Sequence, residues 1–299
     1  GDVAVRAGRL AGLALCVLRA IVCGLVLGWQ FGGDIAVQFY AGWLTEYSLS
    51  VDNLFVFVLI MARFYVPREL QQYVLMWGII VALILRGIFI ALGAAILAQF
   101  SWVFYLFGVF LIVTAVKLLT HGEDDDEEYK ENVIVRLVGR LVPVAQDFDG
   151  TKIRTVVDGK RLFTPMLVVL IAIGTTDVLF ALDSIPAIFG LTKIPFIVFT
   201  ANVFALMGLR QLYFLLGNLL DRLVFLGIGL AAVLGFIGVK LILEAMHENS
   251  LPFLNGGEPF DVPVISNWVS LAVIISILTI TVVASLIHER RHPEVGQDA

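Results

Sequence analysis

Apolar residues fall along the chain in blocks of about twenty, divided by short polar joints. Eight blocks can be drawn, at residues 10–29, 37–62, 71–97, 101–120, 165–190, 195–217, 223–246 and 267–287. A helix of about 20 residues crosses the hydrocarbon of a bilayer. The pattern therefore predicts an all-α membrane protein with about eight transmembrane helices. The ten-residue alternation of a transmembrane β-barrel is not seen. Composition agrees. Of 299 residues, 60% are hydrophobic and 15% charged, against about a quarter charged in soluble domains.

Basic residues in the joints set an orientation. With the N-terminus in the cytoplasm, Arg6, Arg9, Arg63, Arg68, Arg222, Arg290, Arg291 and the eight basic residues from Lys117 to Arg161 lie inside. Only Lys193 lies outside. Both termini are expected to be cytoplasmic. The chain then divides into a peripheral N-terminal helix (1–36), a first membrane repeat (37–120), a cytoplasmic loop (121–164), a second repeat (165–246), an outer loop (247–266) and a C-terminal helix with its tail (267–299). The chain begins at Gly1 rather than Met, which leaves its natural start open.

The net charge of −5 says little about partners, because the acids concentrate in "HGEDDDEEYKE" at 121–131. That run reads as a solvated linker, with a protein partner or metal capture as its sharper alternatives. "NVIVRLVGRLV" spaces apolar and basic residues like a helix lying on the membrane surface. In "TKIRTVVDGKRLFT", Asp-Gly between β-prone runs signals a hairpin. The outer "HENSLPFLNGGEPFDVP" reads as a connector. Cys16 and Cys23 lie two turns apart on one helix, about 10 Å along its axis, too far for a disulfide. No nucleic-acid partner is expected.

The chain repeats itself. Asp52 set over Asp183 brings Glu46 over Asp177, Asn53 over Ser184, Arg86 over Arg210, Gly93 over Gly217 and Lys117 over Lys240. Spans two to four form one copy and spans five to seven the other. Three spans is an odd number, so the second copy is inverted, a common transporter plan with its substrate site near the midplane.

A lone carboxylate at mid-bilayer costs on the order of 2.5–3.5 kcal/mol. Four, at Glu46, Asp52, Asp177 and Asp183, would together cost roughly 10 kcal/mol, comparable to a domain's whole stability. Arginines, protons or a cation must compensate them. Structural pairing with Arg86 and Arg210 is the plainer reading, but two charges do not balance four. Glu46 and Asn53 share a helix face, as do Asp177 and Ser184. Pro186 cannot donate its backbone N–H and is expected to kink its helix and loosen the Leu182 carbonyl beside Asp183. Carboxylate, amide, hydroxyl and carbonyl oxygens suit Mg²⁺, Ca²⁺ or Mn²⁺ rather than Cu(I) or Zn²⁺. There is no P-loop, no HExxH and no Ser–His–acid grouping. Gradient-driven transport is expected rather than catalysis, with no resident cofactor.

"EYSLSVDNLFVF", "TTDVLFALDSIPAIF" and "FTANVFALMGLRQLYFLLG" resemble the signature segments of the TerC family, over about residues 36 to 290. These are bacterial integral membrane proteins named for tellurium resistance and linked to manganese efflux. The resemblance implies a metal-ion exporter of the bacterial cytoplasmic membrane, with membrane lipid and a divalent metal ion as its partners. It also implies metal ligands at Glu46, Asp52, Asp177 and Asp183, with Asn53 and Ser184 beside them. Asn202 either lends an oxygen or bonds between helices. Many members carry a Glu two or three residues before the aspartate matching Asp177. This chain has Gly174 in that stretch, one oxygen ligand fewer. Two other readings stand beside metal export: an exporter of another small solute, and a membrane scaffold for a stress-resistance complex docking through the acidic run. Electrostatics favours proton exchange. An empty set of four acids would hold −4 against +2 from two arginines, which two protons or one divalent ion balances.

Overall fold

The computed structural model describes residues 2–100, 102–120, 142–145, 147–157, 159–216, 225–249, 251 and 253–291. The acidic run, the surface helix expected after it and the C-terminal tail lie outside these residues. So do the side chains of Asp52, Asn53, Asp183 and Arg210.

Among the described residues the chain forms eight long α-helices: α1 (Asp2–Phe31), α2 (Gly33–Arg63), α3 (Arg68–Gln99), α4 (Val103–Thr120), α5 (Pro165–Phe189), α6 (Pro195–Leu216), α7 (Leu226–His247) and α8 (Asn267–Arg291). Six of them (α1, α3, α4, α5, α7 and α8) are long and apolar enough to cross a membrane. The chain is an all-α membrane protein. The other two are the helices that differ in kind. α2 has 31 residues but carries Glu46 and Asp52 among its apolar ones, and the described apolar stretch of α6 runs only from Pro195 to Leu209.

Large side chains such as Leu25, Ile84, Leu106 and Ile280 stand exposed around the outside. In water that much apolar surface would drive association; in lipid it is the solvated face. α1 lies at the rim against α2 and α6. Gly24 lets the Tyr40 ring rest on the α1 backbone, where the phenol donates to the Ile21 carbonyl at 2.6 Å. Nothing in the structure explains Arg19 on its exposed face.

α4 and α7 pack closest, at a reciprocal contact. A Cβ on Gly108 would meet the Gly238 carbonyl at 2.8 Å, and one on Gly238 would meet the Gly108 carbonyl at 2.9 Å. Ile242 covers Gly108 as Ile112 covers Gly238, so the two helices run antiparallel. Only glycine permits backbones this near, the usual route to tight helix packing in lipid. "GVFLI" at 108–112 stands against "GVKLI" at 238–242, which puts Lys240 opposite Phe110 rather than Lys117. Lys117 is exposed and Lys240 buried. The other pairings run parallel: α2 against α6 through Tyr47 and Gly208, and α3 against α5 through Gly78 and Ile173.

The expected hairpin forms. β1 (Arg154–Val157) pairs antiparallel with β2 (Lys160–Phe163), with Val157 opposite Lys160 across the Asp-Gly turn. Gly159 has φ +76°, the left-handed value that such two-residue turns require. The preceding segment docks the hairpin on the bundle. Ala145 N–H donates to Phe163 O at 2.7 Å, while Val144 and Phe148 pack beside Phe57, Met61 and Met166. Arg63 and Arg68 close the same end. At the opposite end the 247–266 connector is organised by Asn249, whose amide donates to the Leu254 and Glu258 carbonyls.

Pro186 does not break its helix. α5 continues through it to Phe189, because the proline sits in the last turn, where one lost donor interrupts little.

Candidate functional site

The site forms where four largely apolar helices bring polar residues together. Asp177 stands twelve residues from either end of α5, about 18 Å by helical rise, so it lies at mid-bundle. Glu46 and Arg86 occupy the middle turns of α2 and α3. All three charged residues are at most 1% exposed, and Asn202 of α6 is fully buried.

Arg86 is the hub. Its Nη1 donates to Glu46 Oε2 at 2.7 Å and to Asn202 Oδ1 at 2.9 Å. Its other edge grips Asp177 as a fork, Nη2 to Oδ1 at 3.0 Å and Nε to Oδ2 at 3.3 Å. A planar guanidinium suits this fork, which the single ammonium of lysine cannot reproduce. The sequence left Asn202 open between ligand and interhelical bond. Here its amide oxygen bonds between helices.

Charge does not balance in this cluster. Two carboxylates face one guanidinium, leaving −1 with both ionised. Hydrogen bonding is incomplete as well. Among the described residues the buried side-chain polar atoms without a partner are Trp43 Nε1, Thr45 Oγ1, Glu46 Oε1, Ser50 Oγ, Ser184 Oγ and Asn202 Nδ2. All belong to α2, α5 and α6, and two of them, on Glu46 and Asn202, sit on side chains that Arg86 engages. A dry orphan of this kind costs about 1–3 kcal/mol, and Glu46 Oε1 and Asn202 Nδ2 carry that cost within the Arg86 cluster itself. The Ser184 hydroxyl faces the Glu46 carboxylate.

Of the residues expected to hold metal, Glu46, Asp177, Ser184 and Asn202 are brought together, with Arg86 as their charge partner. Asp177 and Asn202 give oxygens to Arg86. Glu46 Oε1 and the Ser184 hydroxyl remain uncommitted. Asp52 lies six residues from Glu46, and Asp183 six from Asp177, each about 9 Å along its helix. Among the described residues no three His, Cys, Asp or Glu side chains gather as a metal cluster on their own. Trp43 and Ser50 were not singled out from sequence. Their signal was present, since Trp43, Glu46, Ser50 and Asn53 recur at the spacing of one helix face. Gly174 packs on Val81 of α3, where an added Cβ would stand 3.4 Å from the valine Cγ1.

The profile of the integral membrane protein TerC family matches residues 31–293. The chain belongs to the TerC family. Among TerC relatives, an uncharacterized membrane protein of Mycobacterium tuberculosis is 51% identical over 269 residues, covering 89% of this chain and 68% of the relative. The chloroplastic thylakoid membrane protein TERC of Arabidopsis thaliana is 44% identical over 232 residues, 78% of this chain and 60% of that protein. A protein of Salmonella typhi named putative membrane-bound redox modulator Alx is 38% identical over 256 residues, 86% and 74% of the two chains. No solved structure matches. The matched region contains the whole cluster and leaves out most of α1.

Proposed function

We propose that this TerC chain is a secondary transporter that exports a divalent metal ion, foremost Mn²⁺, in exchange for protons, and that its link to tellurium resistance runs through metal balance. The observation that carries this reading is the buried excess of carboxylate over guanidinium. At mid-bundle, Glu46 and Asp177 face Arg86 alone among the described charges, with Glu46 Oε1 and Ser184 Oγ unpartnered. A divalent cation answers both deficits. The donors are all oxygen, which favours Mn²⁺, Mg²⁺ or Ca²⁺ over thiol- and imidazole-seeking metals.

Charge also supplies the coupling. With Asp52 and Asp183 added, and both arginines charged, the set holds −2. One divalent ion neutralises it, and so do two protons, which makes the two loads exclusive. A tellurium oxyanion is a poor cargo for this set. The packing is compatible with two inverted copies of three helices, since α4 meets α7 reciprocally and α2·α6 mirrors α3·α5. Arg63, Arg68, Lys152, Arg154, Lys160 and Arg161 gather at the hairpin end, opposite Lys193. By the positive-inside rule the hairpin end is cytoplasmic in a bacterial inner membrane.

A redox role, as in the name of the Alx relative, finds no internal thiol pair here. Cys16 and Cys23 are both free and two turns apart on α1.

Inverted vesicles containing the purified chain test the reading, with Mn²⁺, Ca²⁺, Mg²⁺ and Zn²⁺ offered separately. Mn²⁺ is expected to accumulate well above empty vesicles and Zn²⁺ weakly. Deletion of residues 122–132 is expected to leave most of this flux. Absence of metal uptake by the intact chain, with stress resistance lost on that deletion, would instead favour a scaffold.

A further inference from the structure

The Lys193 end of the bundle holds a cavity of about 360 Å³ that the acid–arginine cluster does not use. It is bounded by Gln38 at the start of α2, the 189–194 turn between α5 and α6, Lys240 and Glu244 of α7, and residues 264–267 leading into α8. Phe189 at its edge is twelve residues from Asp177, about 18 Å along α5. The volume lies within the range of small-ligand sites.

Lys240 gives the cavity its chemistry. Its side chain is 5% exposed, and its ammonium donates to Asn267 Oδ1 at 3.0 Å. That partner is an amide, not an anion. The carboxylate one turn along, Glu244, is engaged elsewhere. It takes Lys193 at 3.0 Å, and Glu248 holds the same ammonium at 2.8 Å. Burial alone would lower the Lys193 pKa, but its bonds to Glu248 and Glu244 outweigh burial and hold it above the usual lysine value. Lys193 is thus satisfied by two carboxylates, while Lys240 has none. An ammonium has three donors, and among the described residues Lys240 spends one of them, on Asn267. A buried cation is stable only when an anion or a full set of acceptors meets it.

We propose that this cavity is an oxyanion site in which Lys240 binds a phosphate group, either free or carried by the head group of an anionic phospholipid. Glu244 and Glu248 are spent on Lys193, so the charge at the cavity wall without a carboxylate at ion-pair distance, among the described residues, is the positive one of Lys240. Thr192 already donates its hydroxyl to Gln38 Oε1 at 2.6 Å, so the turn beneath the cavity is fixed before a ligand arrives. Leu191, Ile194, Val264 and Ile265 form an apolar collar. A free phosphate leaves that collar unused, whereas a phospholipid fills it with its glycerol and first methylenes.

The test uses the full chain, delipidated in neutral detergent, with inorganic phosphate as one probe. Nanodiscs of phosphatidylglycerol or of phosphatidylcholine provide the second. A saturable rise in Tm with inorganic phosphate would identify a free oxyanion. A rise in phosphatidylglycerol over phosphatidylcholine, with none from free phosphate, would identify a head group. In either case Lys240→Met should lose the rise and Lys240→Arg should keep it. Equal responses of the unaltered chain and Lys240→Met in both arms would overturn the site. Native mass spectrometry of the unaltered protein needs no variant. It should retain one phosphate or one phosphatidylglycerol per chain, and a bare chain under both conditions also overturns the proposal. These readouts are binding and stability, so their failure leaves the metal-export reading untouched.

Discussion

Replacing Arg86 with glutamine is expected to destabilise the folded protein by about 3–5 kcal/mol, the cost of removing one partner from a buried ionic cluster. The guanidinium holds Glu46, Asn202 and both oxygens of Asp177. Without it, two carboxylates lie at mid-bundle with no described cation beside them. Arg86→Lys separates charge from geometry. It restores a positive charge but cannot offer a fork to Asp177 while also reaching Glu46 and Asn202, so an intermediate loss is expected. Unfolding of the purified variants in detergent, followed by denaturant or heat, checks the order. Equal stability of Arg86→Gln and the unaltered protein would show that the cluster is not what holds α2, α3, α5 and α6 in register.

Glu46→Gln should do the opposite. The substitution removes one of two carboxylates facing one guanidinium, and the amide oxygen still accepts from Arg86 Nη1. The charge excess of the described cluster disappears, so folding should survive or improve. Transport should not. Glu46 Oε1 is the one carboxylate oxygen of the described cluster that Arg86 does not engage, and losing its charge should lower Mn²⁺ flux by about 10–100-fold, the scale at which metal-site partners act. Asp177→Asn is expected to lose flux and some stability together, because Asp177 is gripped by Arg86 through both oxygens. Full flux in Glu46→Gln at equal membrane abundance would leave the acids a purely structural role. The two substitutions thus separate what the cluster does for folding from what it does for a cargo.

Charges inside apolar helices are what made this site readable from sequence. Glu46, Asp177 and Arg86 stand out because lipid penalises them, and the structure joins all three. The hairpin was equally legible, since Asp-Gly admits few turn geometries. Partner choice was not. Whether Asn202 serves a metal or Arg86 depends on where α3 and α6 meet, which no local pattern encodes. Ser50 and Trp43 escaped notice because a serine or a tryptophan in a span is unremarkable until it is seen to lack a partner. Where α4 crosses α7 was not legible either, because backbone approach at Gly108 and Gly238 decides it and not side-chain identity. How near Pro186 lies to the end of its helix was not legible for a related reason. A proline's effect depends on its distance from the helix end, and sequence places such ends only to within a few residues.

In the proposed antiport, metal and protons neutralise one buried set of acids by turns. The direct measurement is Mn²⁺ flux in proteoliposomes under an imposed pH gradient with the membrane potential clamped at zero. The account predicts that flux follows the gradient in size and direction, and that metal movement drives protons the other way. Flux indifferent to both the size and the direction of the gradient would contradict it.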